Sequence, residues 1–347
     1  MSIGSARGRM RWRAMSVLVP LSIVAALCPV SASGAPESPG LPVPVDARPA
    51  PDGSRIVGVA EGADRLLDLQ VHSTAMATDI TVKVRPAPDT SASAPVLYLL
   101  NGADGGADRN WVNATDMVEF FADEQVTLVV PMGGRGSYFT DWRTDDPVLG
   151  KQRWTTFLTE ELPPIIDSAF DGTGHNAIAG ISMAGTAVFQ LALAAPTLYR
   201  AIGSYSGCVQ TSDLSGRALI SAVVASNGGN PANMWGASRE VWAAKDPYLH
   251  AGDLRGTAIY VSTGTGLPGP LDTLPAADGP LNLAYQLLFG APLEQVTNLC
   301  THRLRDRLRE LNIPATVDFR ETGTHSWGYW EQDLHRSWEL FRAALSE

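Results

Sequence analysis

Between an apolar strand pattern and an apolar helix pattern stands Ala177-Ile-Ala-Gly180-Ile-Ser182-Met183-Ala-Gly185, a serine on a turn of small residues. A serine hydroxyl is a weak nucleophile at neutral pH. A turn that exposes its Oγ serves chemistry only when a base stands against it and N–H donors await an oxyanion. This is the local pattern of a nucleophile elbow, and the chemistry it points to is acyl transfer through an acyl-serine. The base is expected at His325, in Gly323-Thr-His-Ser-Trp327 just after the last predicted strand. His72 lies in an early strand, His175 before the elbow strand, His250 in a loop-rich insertion, and His302 and His335 on charged helical faces; these read as surface or structural. A carboxylate must then fix the imidazole tautomer, and it is expected between the serine and the histidine in chain order. Several carboxylates qualify on the residues alone, Asp272 and Glu294 foremost. Asp272 follows a predicted strand across a Gly/Pro-rich loop, and Glu294 opens a long helix, where its charge also suits the helix dipole. For the oxyanion, one donor is expected at the N–H of Met183. The second is expected at Ala103, in the glycine-rich Leu99-Leu-Asn101-Gly-Ala103-Asp104-Gly-Gly106. No Gly-Lys-Ser/Thr follows that loop, which sets a phosphate cradle aside.

These groups need a scaffold that gathers distant segments. Residues 66–71 and 79–84 alternate apolar and polar types as half-buried antiparallel strands do, whereas 96–100 and 126–130 are continuous apolar runs suited to strands covered on both faces. Helical patterns follow at 115–123, 154–170 and 186–194, and further strands fit 201–206, 257–262 and 315–319. The alternation predicts an α/β fold: a mostly parallel central sheet, helices on both faces and an antiparallel N-terminal edge. Residues 209–255 and 264–290, rich in Gly, Pro and Asn, read as insertions above the sheet. No linker interrupts the chain after residue 50, so 55–347 is expected to be one catalytic domain behind a disordered leader at 36–54.

The first 35 residues form a separate segment. Arg7, Arg9, Arg11 and Arg13 precede an apolar run over 15–27, and Val30-Ser-Ala32 or Ser33-Gly-Ala35 offers a small-residue cleavage site: a secretory signal peptide, too short to span a membrane. Leu27 before Cys28 argues against a lipid anchor at that cysteine. The formal charge of −10 becomes −14 without those four arginines, which argues against nucleic-acid binding. Cleavage leaves Cys208 and Cys300, an even pair in an oxidising compartment, and one disulfide is expected. No residue cluster calls for a metal or an organic cofactor.

From about residue 66 to 340 the chain resembles the secreted mycolyltransferases of mycolate-containing bacteria, the antigen 85 group, and their esterase relatives. The marks are Leu69-Gln-Val71 through Asp79-Ile80, Leu99-Leu-Asn-Gly102, Pro131-Met-Gly-Gly134 with Asp141-Trp142, Trp154-Thr-Thr-Phe-Leu-Thr-Glu-Glu-Leu162, Gly180-Ile-Ser-Met-Ala-Gly185, Met234-Trp-Gly236 and Gly323-Thr-His-Ser-Trp327. The resemblance implies an α/β-hydrolase fold whose serine takes a mycolyl group from trehalose monomycolate and passes it to a sugar acceptor. It places the acid on the late helix, at Glu294. It implies sugar contacts at positions 101 and 104, where the family's aspartate and arginine are replaced by Asn101 and Asp104, a charge reversal that removes a guanidinium fork. Trp327, beside the histidine, matches a family tryptophan suited to stacking on a sugar or acyl chain. The family's early disulfide is absent. The expected substrate is therefore an acyl-sugar or lipid ester of the trehalose mycolate kind, met at the cell envelope by a monomeric enzyme. A carboxylesterase that delivers the acyl group to water, and a non-catalytic envelope-binding protein, are the alternatives.

Overall fold

The computed structural model describes residues 47–346. The expected signal peptide, and the leader as far as residue 46, lie outside the described residues. Residues 50–54 form a turn whose Ala50 and Ser54 are buried, so the last residues assigned to the leader are part of the packed structure.

Nine strands build one sheet: β1 (Arg55–Glu61), β2 (Leu67–Ser73), β3 (Thr78–Arg85), β4 (Ala94–Leu100), β5 (Thr127–Pro131), β6 (Gly172–Ile181), β7 (Tyr199–Tyr205), β8 (Ala258–Thr263) and β9 (Thr316–Phe319), in the order 1-2-3-5-4-6-7-8-9. The first three strands and their junction with β5 are antiparallel. From β5 to β9 all pairs are parallel. The fully apolar strands are buried on both faces. In β4, Val96, Tyr98 and Leu100 join one core cluster while Leu97 and Leu99 join the other, as the two-residue period of a strand requires.

The larger helices cover these faces. On one side lie α1 (Leu162–Phe170), α2 (Met183–Ala194) and α4 (Ala291–Glu310), which give Leu162, Ile165, Ala187, Val188, Leu191, Leu304 and Leu308 to the first cluster. On the other, α5 (Trp327–Ser346) lays Trp330, Leu334, Trp338, Phe341 and Leu345 on the sheet at helical spacing. Each such side chain contributes about 1.5 to 3 kcal/mol on burial. Among the described residues no helix is long and apolar enough to cross a membrane.

Three expectations shift. The helix expected over 115–123 is two short ones, Trp111–Ala114 and Met117–Phe120, because Thr115 turns extended between them and its hydroxyl takes the Trp111 carbonyl. The helix over 154–170 is continuous but widens to a π turn at Phe157–Glu161 ahead of Pro163 and Pro164, and the Tyr199 hydroxyl caps the Leu158 carbonyl that a proline cannot serve. The insertion expected over 209–255 is largely helical. It holds α3 (Leu214–Ser226), two shorter α-helices with a 3-10 turn at Ala251–Leu254, and the α-helices take Asp213, Asn230 and Ser238 as N-caps. Cys208 and Cys300 are bridged, tying the segment after β7 to α4.

Candidate active site

The parallel strands end in line. Ile181 pairs with Tyr205, Tyr205 with Ser262, and Thr263 with Phe319. Ser182, Ser206, Gly264 and Arg320, each the residue immediately after its strand, therefore share one edge, where open α/β sheets carry their ligand crevices.

Ser182 takes φ 55° and ψ −118°, and its N–H donates to the Tyr205 carbonyl at 2.8 Å. A positive φ on a side chain with Cβ costs about 1 to 3 kcal/mol, and packing holds it there. Ser182 is the N-cap of α2, yet its hydroxyl makes no capping bond, so Oγ is released from the task a serine usually performs at that position. The turn closes because of its glycines. A Cβ at Gly180 would sit 2.7 Å from Ala184 Cβ, and one at Gly185 would sit 2.8 Å from Ser204 Oγ. The 101–106 loop lies directly alongside, since a Cβ on Gly102 would be 3.9 Å from Ser182 Cβ. The N–H groups of Ala103 and Met183 find no backbone acceptor among the described residues.

His325 Nδ1 lies 2.8 Å from Glu294 Oε2. Glu294 has no solvent exposure, and burial alone would push its carboxyl up. The hydrogen bond and charge of His325, the charge of Arg320 and the Gly264 N–H outweigh burial and hold it below the usual range. An ionised carboxylate only accepts, so Nδ1 carries a proton, and in the neutral imidazole the lone pair is then on Nε2. Nε2 is buried and has no hydrogen-bond partner among the described residues. The Ser182 hydroxyl is not bonded to it here; such contacts commonly tighten only around substrate.

Asp272, the other carboxylate the sequence offered, does not face the imidazole. It accepts from the hydroxyls of Thr324 and Tyr329, the latter at 2.8 Å, and from the Gly269 N–H at 2.8 Å, fastening the loop that carries His325. Asp272→Ala leaves these donors without an acceptor. It is expected to cost about 1 to 2 kcal/mol in thermal unfolding, and the loosened loop should lower kcat/KM about tenfold or less. If neither the melting temperature nor the kinetics moved, the fastening role would be lost.

The positions expected to touch sugar differ among themselves. Asn101 is fully buried: its amide donates to the Pro131 carbonyl at 3.3 Å and its oxygen accepts from the Trp111 N–H at 3.3 Å. It joins two loops, with both arms of the amide bonded to backbone and none of the side chain exposed. Asp104 is half-buried, and one carboxylate oxygen holds its own turn through the Gly106 N–H at 3.1 Å. Trp327 is half-buried, edge-on to Trp111 at 5.5 Å and to Trp330 at 5.4 Å. The other histidines are engaged elsewhere. His72 bonds Asp79, His175 the Leu345 carbonyl, His250 the Ala243 carbonyl and His335 Asp116, while His302 stacks on Phe319.

Sequence reasoning missed the second ring of donors around Glu294. The Ser206 hydroxyl reaches Oε1 at 2.8 Å while receiving Trp330 Nε1–H at 3.0 Å. The Gly264 N–H reaches Oε1 at 2.6 Å, the Thr263 hydroxyl at 3.2 Å and Arg320 Nη2 at 3.1 Å. The one available signal is positional: Ser206 ends a predicted strand, and Thr263 and Arg320 directly follow predicted strands.

A sheet of this order with a serine elbow at the carboxyl end of its central strand defines an α/β hydrolase. The chain belongs to the esterase family described as "Putative esterase", whose pattern matches residues 73–339. It is 34% identical over 280 residues to "Diacylglycerol acyltransferase/mycolyltransferase Ag85A" of Mycobacterium leprae (strain TN), covering 77% of this chain and 79% of that one. It is 32% identical over 280 residues to the corresponding Ag85B of Mycobacterium avium, covering 77% and 79%. Among solved structures, Mycobacterium tuberculosis MPT51 (FbpC1) superposes with a TM-score of 0.66 at 26% identity, over 80% of this chain and 98% of that one. An S-formylglutathione hydrolase from Agrobacterium tumefaciens shares the fold, with a TM-score of 0.60 at 18% identity over 82% and 98%.

Proposed function

We propose that this protein is an exported serine acyltransferase that moves long-chain acyl groups, of the mycolyl kind, between sugar esters. The observation that carries the reading is the buried Glu294–His325 hydrogen bond, with Nε2 left free at the strand edge that also bears the strained Ser182. In the first half-reaction Ser182 Oγ attacks the ester carbonyl carbon while its proton passes to His325 Nε2. The carbonyl oxygen, now anionic, accepts from the Ala103 and Met183 N–H groups, and Glu294 balances the imidazolium. Collapse breaks the bond to the leaving sugar oxygen, which takes the proton from Nε2 and leaves an acyl-serine. An acceptor hydroxyl then repeats the sequence in reverse.

Two observations favour a lipid donor and an acyl acceptor other than water. The helical run leading into α4 exposes Leu281, Tyr285, Leu288 and Phe289, and Gly290 at its end packs against the backbone and Cβ of His325, so an apolar surface runs up to the loop that carries the base. Relatives of this family also carry acyl-transfer names, diacylglycerol acyltransferase/mycolyltransferase, rather than hydrolase names alone. The Cys208–Cys300 bridge supports an oxidising compartment outside the cytoplasm, in keeping with the signal peptide read from residues 1–35.

The test is mass spectrometry of the purified protein with trehalose monomycolate, with and without free trehalose. An acyl adduct on Ser182 that discharges onto trehalose is the expected result, with Asp104 in place of a family arginine weakening the sugar's hold rather than abolishing it. Discharge only to water would assign the esterase activity instead. Absence of any adduct with this donor would remove mycolyl esters from the substrate class.

A further inference from the structure

Behind Glu294 lies a second buried ion pair that the serine chemistry does not by itself require. The Arg320 side chain, 7% exposed, donates from Nη2 to Glu294 Oε1 and from Nη1 to Oδ2 of Asp333, which has no exposure at all. Such a pair is a poor device for stability. Desolvation of buried charges commonly matches or exceeds their attraction, and apolar replacement of a whole pair is often neutral or stabilising. The cost is visible here. Burial pushes the Asp333 carboxyl up to about 6 even with Arg320 against it, and among the described residues neither Arg320 Nε nor Asp333 Oδ1 has a hydrogen-bond partner, Arg336 Nη1 standing 3.9 Å from the latter.

What the pair does accomplish concerns the two oxygens of Glu294. Oε1 collects Ser206, Thr263, Gly264 and Arg320, while Oε2 receives His325. The terminal torsion of a glutamate is broad and roughly two-fold, so neutral donors on one oxygen restrain it less than a charged fork does. Arg320 supplies that fork, and Asp333 holds its other arm from α5. Charge matters as well. Asp333, Arg320, Glu294 and a neutral imidazole together carry one net negative charge, with Arg336 Nη1 at 3.9 Å from the far oxygen of Asp333 but itself paired to Asp318 at 3.0 Å, and that charge is cancelled when His325 takes the proton of Ser182. Without Asp333, the guanidinium would neutralise Glu294 in advance.

We propose that Arg320, anchored by Asp333, is a positioning residue: it pins Glu294 Oε1 so that Oε2 stays aimed at His325 Nδ1, and Asp333 preserves the negative charge that the imidazolium needs. The proposal rests on the Ser182–His325–Glu294 reading above.

The decisive variant is the double replacement Arg320→Met with Asp333→Leu, which removes the guanidinium together with its anchor and leaves Glu294 its neutral donors and His325. It is expected to stay folded, melting somewhat below the wild type because Glu294 loses its charged partner, and to lose roughly 10- to 100-fold in kcat on a chromogenic acyl ester with KM within about twofold. Labelling of Ser182 by a fluorophosphonate should slow in parallel. Arg320→Lys keeps the charge and loses the fork, and is expected to retain the fold with a smaller loss, about three- to tenfold in kcat. Wild-type kcat and labelling rate in either folded variant would overturn the positioning role. Ser182→Ala run alongside separates the two readings. Turnover surviving there removes the nucleophile assignment itself, whereas a dead Ser182→Ala beside a fully active double variant removes only the role of Arg320.

Discussion

Ser182→Ala is expected to lower turnover of acyl esters by about 10⁴-fold or more while leaving the thermal midpoint close to that of the wild type. Both halves follow from the local structure. The hydroxyl caps no helix and makes no hydrogen bond that holds the turn, so its removal leaves the elbow intact; the close contacts at Gly180 and Gly185 and the Ser182 N–H bond to Tyr205 all survive. What disappears is the hydroxyl proposed to form the acyl-enzyme. Because the serine and its base act as one unit, Ser182→Ala combined with His325→Ala should cost no more than Ser182→Ala alone, the residue of activity coming from the oxyanion donors and from binding. Additive losses in the double variant, or more than about one percent of turnover left in the single one, would contradict a common nucleophile–base pair. Covalent labelling by a fluorophosphonate gives an independent reading, since it needs the nucleophile and not the natural substrate.

The elbow was legible because its signature is local: a strand, a serine among residues too small to clash, and a helix, all within nine positions. His325 was legible by position, in the loop that follows the final strand. The acid was not, on residues alone. Asp272 and Glu294 both lie between serine and histidine, and both end up bonded to the histidine loop, one to Thr324 beside it and the other to the imidazole. Only the tertiary arrangement separates a carboxylate that fastens the loop from one that holds the ring. A sugar contact at Asn101 was expected only because the resemblance places a family aspartate there; in the structure its amide serves two neighbouring backbone groups. Arg320 and Asp333 were beyond reach. They meet because β9 ends in register with β8 and α5 brings Asp333 against that strand end, a tertiary contact no periodicity encodes. Strand positions survived best, since in β4 and β5 burial on both faces leaves a continuous apolar run that few other structures explain.

Removing the disulfide, by Cys208→Ala with Cys300→Ala, is expected to cost about 4 to 5 kcal/mol of stability, and to lower the melting temperature by about 10 °C, because the bridge closes a loop of more than ninety residues. Activity at 25 °C should fall far less, by about tenfold or under, and the reason is where the bridge sits. Cys208 follows Ser206 by two residues, its carbonyl accepts from Thr186 of α2 at 2.8 Å, and Gln210 reaches the Cys300 carbonyl at 3.2 Å. The bridge therefore clamps the helix behind Ser182 and the helix bearing Glu294 to the same strand end, but Ser206, Gly264 and Arg320 hold the carboxylate whether or not the sulfurs are joined. Melting curves with and without dithiothreitol, beside the double alanine variant, read the first quantity; ester turnover at 25 °C and again at 45 °C reads the second. A wild-type melting temperature in the double variant would mean that the unfolded chain is already restrained by other means. A melting temperature that falls as expected while activity collapses at 25 °C would instead place the bridge itself, rather than the ring of donors around Glu294, in charge of aligning the site.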